Sequence, residues 1–307
     1  MARRRRGLPV DGVLLLDKAQ GISSNRALQQ VRRLYEAQKA GHTGTLDPMA
    51  TGLLPICFGE ATKFSAYLLD ADKTYRTWVR LGEMTDTGDA EGSLVERQPV
   101  PALAERDIDA VLARFRGDIE QVPPMYSALK HQGRPLYELA REGKQVERAS
   151  RRVKVYDMRL LSCAAEGFEL EVRCSKGTYI RTLAEDIGQA LGCGAHITYL
   201  RRLHSGPFDA DAMHNFEALE QLDGPSRQAQ LLPIDAMLPH VPSLEVAAIE
   251  SQRLLHGQRA RMDTGALVSD ATARLYHGGI FLGLVRVTTP GEVAPRRLRN
   301  TASPVNE

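Results

Sequence analysis

Between residues 205 and 250 the chain carries five prolines (Pro207, Pro225, Pro233, Pro239 and Pro242) and eight acids against one base, Arg227. Proline fixes φ and lacks an amide hydrogen, so neither a long helix nor a central strand runs through that stretch. A chain of 307 residues interrupted there divides into a large N-terminal body and a small C-terminal one, with the boundary somewhere in 225–245. Hydrophobic residues at 43% and charged residues at 25% are ordinary globular usage and exclude disordered, collagenous and coiled-coil classes. No run approaches the roughly 18 uncharged apolar residues of a membrane span. The start, MARRRRGLPVDG, has no secretory apolar region, so the chain reads as cytoplasmic with no membrane partner.

The formal charge of +2 hides a strong segregation. Residues 124–154 hold eight Lys or Arg, among them Lys130, Arg148, Arg151 and Arg152, against three Glu. Arg3 to Arg6 form a basic arm within residues 1–10, and Arg296, Arg297 and Arg299 lie near the other end. Basic clusters separated by an acidic stretch suit a polyanion touched at several points, which favours nucleic acid. Cys57, Cys163, Cys174 and Cys193 show no paired spacing and no zinc-ligand partner, so they read as reduced, small hydrophobes, with no metal site.

GVLLLDK (12–18) is a continuous apolar run and reads as a buried strand. Ser23 and Ser24 then offer an N-cap for a helix to about Ala37. Helices are expected over 60–69, 104–115 and 178–191, and a short one from Arg134. Strands are expected at 73–82, 153–163, 168–174 and 196–203, and short C-terminal strands at 274–287 and 292–298 suggest a small β-barrel. Residues 41–59, GHTGTLDPMATGLLPICFG, hold four Gly and two Pro, too broken for a long helix and too apolar at the end for a surface loop.

Within that segment Pro48 biases Asp47 toward extended backbone and holds the direction of its carboxylate. Alone, such an Asp is also an ordinary turn former. A second segment, SKGTYIRT (175–182), presents Tyr179 and Arg181 at a helix start, and Arg is the natural bidentate partner of a carboxylate.

GVLLLDKAQGISSN, GHTGTLDPMATGLLPICFGEATKF, KTYRTWVRLG, PPMYSALKHQG, SKGTYIRT and GAHITYLRRL, in that order over residues 11–205, resemble the bacterial tRNA pseudouridine-55 synthase family, the TruB branch of the pseudouridine synthases. Ala19 departs from the Pro that often follows the lysine in such proteins. The resemblance implies an α+β fold: a mixed-sheet catalytic domain at 11–240 with an inserted thumb loop at about 124–152, and a small PUA-like RNA-binding β-barrel at 245–307. It implies a monomer that needs no cofactor. Its expected partner is tRNA, through the T stem-loop and the acceptor arm, and not DNA.

By the same resemblance, Asp47 is the carboxylate acting on a flipped-out uridine of the T-loop, and Arg181 pairs with it. Tyr75 stacks on the base and assists proton movement from C5, Tyr179 borders the pocket, and Leu200 lies beneath the base. His42 fills space left by unstacked bases, while Lys130, Arg148, Arg151 and Arg152 contact phosphates. Two other readings stay open: a non-catalytic RNA chaperone, whose folding role could also accompany catalysis, and a glycoside or nucleoside hydrolase using Asp47. No other acid in the sequence is expected to sit in so pinned a loop.

Overall fold

The structure, a computed structural model, describes residues 7–300. Arg3 to Arg6 of the expected N-terminal arm lie outside the described residues. The apolar run forms β1 (Gly12–Lys18), almost wholly buried. Helix α1 (Ser24–Leu34) starts where Ser23 accepts a hydrogen bond from the Arg26 amide, 3.2 Å, and ends three residues short of Ala37.

The Gly- and Pro-broken segment contains two strands, β2 (Ala40–His42) and β3 (Thr51–Phe58). A 3-10 turn at Gly59–Lys63 and the single-turn α2 (Ala66–Leu69) replace the longer helix expected over 60–69. Then come β4 (Lys73–Leu81), a hairpin of β5 (Glu83–Thr85) and β6 (Leu94–Arg97), α3 (Glu105–Ala113) and β7 (Gly117–Gln121). The basic segment forms β8 (Lys130–His131), β9 (Arg134–Pro135) and α4 (Leu136–Arg141), whose Leu136 and Leu139 are buried. The hairpin β10 (Arg151–Ala164) and β11 (Gly167–Cys174), α5 (Ile180–Ala190), β12 (Ala195–Ser205) and β13 (Phe208–Asp209) follow.

These strands build a nine-stranded sheet in the order β1-β3-β12-β4-β11-β10-β7, with β2 on β3 and β13 on β12. It is mixed: β12 runs parallel to β3 and antiparallel to β4. Gly52, at φ 96°, lies so close to β12 that a Cβ would stand 2.3 Å from the Arg202 carbonyl oxygen, so only glycine admits this crossing. One face of the sheet carries the main core, with Leu14, Ile56, Val79, Phe168 and Val172 against Val31 of α1 and Leu183 and Ile187 of α5.

The acidic, proline-rich stretch is no tether. It forms α6 (Phe216–Gln221) and α7 (Gly224–Gln228), and Leu232 exchanges two 2.9 Å backbone hydrogen bonds with Val13 of β1. Arg227, its single base, donates to the carbonyls of Leu34, Leu219 and Leu222 at 2.6–3.0 Å.

The C-terminal unit holds β14 (Ser243–Glu245), α8 (Ala248–Leu255), β15 (Ala260–Arg261), β16 (Thr272–His277), β17 (Ile280–Thr289) and β18 (Glu292–Leu298), in the sheet order β14-β16-β17-β18-β15. Its edge strands have three and two residues and do not pair with each other, so the small β-barrel expected takes the form of a half-barrel. It is docked firmly. Phe281 and Leu284 enter one core with Phe64, Leu68, Met237 and Leu238, and the Phe64 and Phe281 rings lie 5.4 Å apart. Tyr276 donates to Asp235 at 2.7 Å, Lys63 to the Leu298 carbonyl at 3.0 Å, and Arg299 bridges the Phe281 carbonyl and Asp11.

Candidate active site

The loop from Thr43 to Ala50 is fixed from several sides before its carboxylate is considered. Thr43 donates to the Pro55 carbonyl at 3.0 Å. The Ser24 hydroxyl accepts from the Leu46 amide at 2.8 Å and donates to the Leu46 carbonyl at 2.9 Å, while Leu46, Met49 and Ala50 are buried. The Ala50 amide closes a turn onto the Asp47 carbonyl at 3.0 Å, with Pro48 supplying its fixed φ. Asp47 is thus held between two apolar anchors, with 32% of its side chain open to a cleft.

Arg181, in the first turn of α5, is buried and reaches Asp47 Oδ2 through Nη2 at 2.9 Å. The bidentate fork onto Asp47 expected from the sequence does not form. Nη1 faces Asp89 Oδ2 at 3.5 Å and donates to the Thr87 carbonyl at 2.8 Å, and Nη2 also donates to the Tyr126 carbonyl at 2.6 Å. One guanidinium therefore ties together the Asp47 loop, the 85–92 turn and the inserted segment. Asp89 also corrects the expectation that Asp47 is the one pinned acid. It is buried, and its Oδ1 accepts from Thr87 Oγ1 at 2.7 Å and the Glu91 amide at 3.1 Å.

The cleft, of about 380 Å³, is lined by Asp47, Tyr75, Tyr179, Arg181, Leu200 and Arg151, which brings six of the predicted residues together. Tyr75 projects from β4 and Leu200 from the facing β12. Tyr179 is strapped by the buried Gln121 side chain, which accepts from its amide at 3.0 Å and donates to its carbonyl at 3.2 Å. The Arg151 guanidinium covers the Tyr179 ring at 4.9 Å and donates to the Gly177 carbonyl.

Burial pushes the Asp47 carboxyl above the ordinary carboxylate range, with Arg181 opposing the rise. Burial likewise raises the Tyr75 phenol, opposed by Arg202, so Tyr75 enters neutral chemistry protonated. Three buried cations were hidden in the sequence because Lys and Arg normally read as surface residues. Arg202 is 1% exposed and donates to the Leu53 and Gly44 carbonyls at 2.7 and 3.1 Å. Lys73 donates to the carbonyls of Leu68, Leu69 and Ala71 at the end of α2, and desolvation lowers it to about 8.

Lys18, also lowered to about 8 by burial, donates to the carbonyls of Ala19, Ile22 and Pro48 at 2.9, 2.7 and 3.2 Å. This contact anchors the residue next to Asp47. Lys18→Met removes the shared donor of these three partly buried contacts and is expected to lower stability by on the order of 2 kcal/mol, read from the urea midpoint. An unchanged midpoint would mean that the three contacts have no net value.

The remaining predicted residues lie outside the cleft lining. His42 sits half-buried on β2, with Nδ1 unpartnered among the described residues and its pKa lowered by burial, hence neutral. Lys130 and Arg152 are exposed and Arg148 half-buried, none of them lining the cleft, which the segment meets through Ser127, Ala128, Leu129 and Arg151.

Residues 32–180 match the family described as "TruB family pseudouridylate synthase (N terminal domain)". Residues 181–239 match the "tRNA pseudouridylate synthase B C-terminal domain" and 242–298 "Pseudouridine synthase II TruB, C-terminal". The chain is 80% identical over 307 residues, the whole of both chains, to a protein of Chromohalobacter salexigens named tRNA pseudouridine synthase B. It is 54% identical over 289 residues to a protein of the same name from Azoarcus sp., covering 94% of this chain and 95% of the other. In fold it is similar to a chain of a Cbf5-Nop10-Gar1 complex, at TM-score 0.71 and 24% identity over 95% of this chain and 85% of that one. A chain of an H/ACA RNP bound to a substrate RNA gives TM-score 0.72 at 22% identity, covering 97% and 91%. The family matches span nearly all the described residues, so the chain belongs to the TruB family of pseudouridylate synthases and is a pseudouridine synthase.

Proposed function

We propose that the protein isomerises uridine to pseudouridine at position 55 in the T-loop of tRNA, with Asp47 acting on a nucleotide flipped into the cleft. The observation that carries this reading is the pinned Asp47, paired with Arg181 at 2.9 Å beside Tyr75 and Leu200. The reaction breaks N1–C1′, turns the uracil and joins C5 to C1′. The proton on C5 is then lost and N1 gains one, so substrate and product are isomers. A carboxylate serves by attacking C1′, by attacking the base or by removing a sugar proton, and each route starts from ionised Asp47. Tyr75 offers a ring face for the uracil and a phenol that can relay the late proton, its oxygen taking the one lost from C5 as its O–H proton goes toward N1. Leu200 gives an apolar floor.

In this reading, flipping the base costs a few kcal/mol, offset by contacts to folded RNA elsewhere. The inserted segment 124–152 acts as the thumb over the loop, with Lys130, Arg148, Arg151 and Arg152 toward phosphates. His42 occupies space left in the unstacked loop. The C-terminal half-barrel serves as a PUA-like unit toward the acceptor arm, and the protein works as a cytoplasmic monomer. The names of the relatives, which specify tRNA, support the substrate class.

Incubation with a T-arm stem-loop is expected to convert one uridine without mass change, detected as a carbodiimide adduct that stops primer extension. An abasic site would assign a hydrolase instead, and unaltered RNA would leave only binding or chaperone activity.

A further inference from the structure

An apolar side chain left in water is common and by itself means little. Leu69 is set apart by its place. Among the large hydrophobic residues exposed in the described part of the chain, it alone lines the catalytic cleft, and 45% of its surface is open. It therefore stands at the rim. The exposed Ala128 and half-buried Leu129 of the inserted segment line the same cleft, so the apolar character of the rim is not confined to one residue.

The turn that carries Leu69 is held on several sides. Leu68, the preceding residue, is fully buried in the core formed with Phe64 and Phe281. Lys73, itself buried and in the cleft lining, donates to the carbonyls of Leu68, Leu69 and Ala71 at 3.0, 2.9 and 2.6 Å. An ammonium has three hydrogens, so all of them are engaged by the end of α2. Asp70 pairs with Lys176 at 2.8 Å, between Ser175 and Gly177 of the opposite cleft lining. One turn of helix has no stability of its own, and these ties fix where Leu69 points.

A leucine held in water gains nothing until an apolar surface covers it. A uridine turned out of its stack creates such a surface, because the nucleotide beside it loses a stacking partner and bares a base face. We propose that Leu69 is a wedge that packs on the base next to the target uridine and so holds the target in the cleft, with Lys73 as the positioning residue that acts through it. The proposal deepens the reading above and rests on its flipped uridine. Leu69 sets how much of the bound RNA is flipped, while Asp47 and Tyr75 act on the flipped base. His42, on β2 and outside the cleft lining, does not occupy the same place.

The test compares single-turnover rates of the full chain at saturating RNA on three T-arm stem-loops: one intact, one with an abasic linker 5′ of the target, and one with the linker 3′ of it. On the intact loop Leu69→Ala is expected to slow conversion ten- to a hundredfold, the scale of one buried leucine. Leu69→Asn, similar in size but polar, should match it, and Leu69→Met should retain at least a third of the wild-type rate. On one of the two abasic loops, where the wedge has no face to cover, wild type and Leu69→Ala should agree within threefold. Lys73→Met should slow the intact loop in wild type and add little in the Leu69→Ala chain. The same loss on all three RNAs, an intact-loop rate within threefold of wild type, or full activity of Leu69→Asn would overturn the wedge. Additive losses from Lys73→Met and Leu69→Ala would overturn the positioning role of Lys73. A wild type that converts no uridine in any of the three would sink the functional reading and the wedge with it, a result distinct from a wild type that converts all three and variants that keep pace.

Discussion

Asp47→Asn is expected to lower the single-turnover rate at saturating tRNA by at least roughly ten-thousand-fold, the scale of removing a nucleophile or base. The amide keeps the size of the carboxylate and its place between the buried Leu46 and Met49. What it loses is charge, nucleophilicity and half of the ion pair with Arg181. RNA affinity should therefore stay within about tenfold, or 1.4 kcal/mol, of wild type. Quench-flow rates with parallel filter-binding titrations would check both halves. A variant that retains a tenth of the rate refutes the role of Asp47, and one that binds a hundredfold more weakly shows that its contribution is to the ground state.

The second large effect concerns Arg181. Its guanidinium meets Asp47, Asp89 and the carbonyls of Thr87 and Tyr126, four acceptors in different directions. An ammonium is a point charge and cannot span that fork, so Arg181→Lys should cost at least about a hundredfold in rate, the scale of misplacing a reacting group by 1 Å. Asp89→Asn, which loosens the guanidinium from behind, should cost less than Arg181→Lys while moving the rate in the same direction. The pH profile separates placement from charge. Burial raises the Asp47 pKa and Arg181 opposes it, so activity falls with acid at a pH above the usual carboxylate range. Removing the positive charge with Arg181→Met shifts that acid limb further up, whereas Arg181→Lys largely keeps it. Identical acid limbs in wild type and Arg181→Met would show that Arg181 has no electrostatic influence on Asp47.

The strand at 12–18 was legible because an unbroken apolar run has one solution, burial on both faces. β3 was not. Pro55 and Gly52 make TGLLPICF look interrupted, but neither prevents pairing in this sheet: Pro55 stands opposite Leu15 and its carbonyl accepts the Thr43 amide. Asp47 and Arg181 were singled out by local stiffness and position, and their juxtaposition needed the fold. Asp89 escaped notice because TDTGDAEG has the composition of a solvated turn, and only its packing against Arg181 makes it otherwise. Lys18, Lys73 and Arg202 escaped for the converse reason, since their partners are backbone carbonyls, which carry no side-chain signal in the sequence; those of Arg202 and the Pro48 acceptor of Lys18 come from distant segments, those of Lys73 from the turn just before it.

The place of β12 also governs how the polypeptide is made. That strand, residues 195–205, lies between β3 and β4 in the sheet, although more than a hundred residues separate it from either in the chain. A ribosome adding about 5–20 residues per second leaves the apolar β1–β3 pair with an open edge for roughly 10–30 s before its central neighbour emerges. Val13 on β1 waits longer still, for Leu232. Nascent chains and fragments cut short of residue 205 thus present a sticky, half-finished sheet. Chains released early by truncated messages should accumulate as aggregates, while the full-length chain should be soluble and resistant to protease.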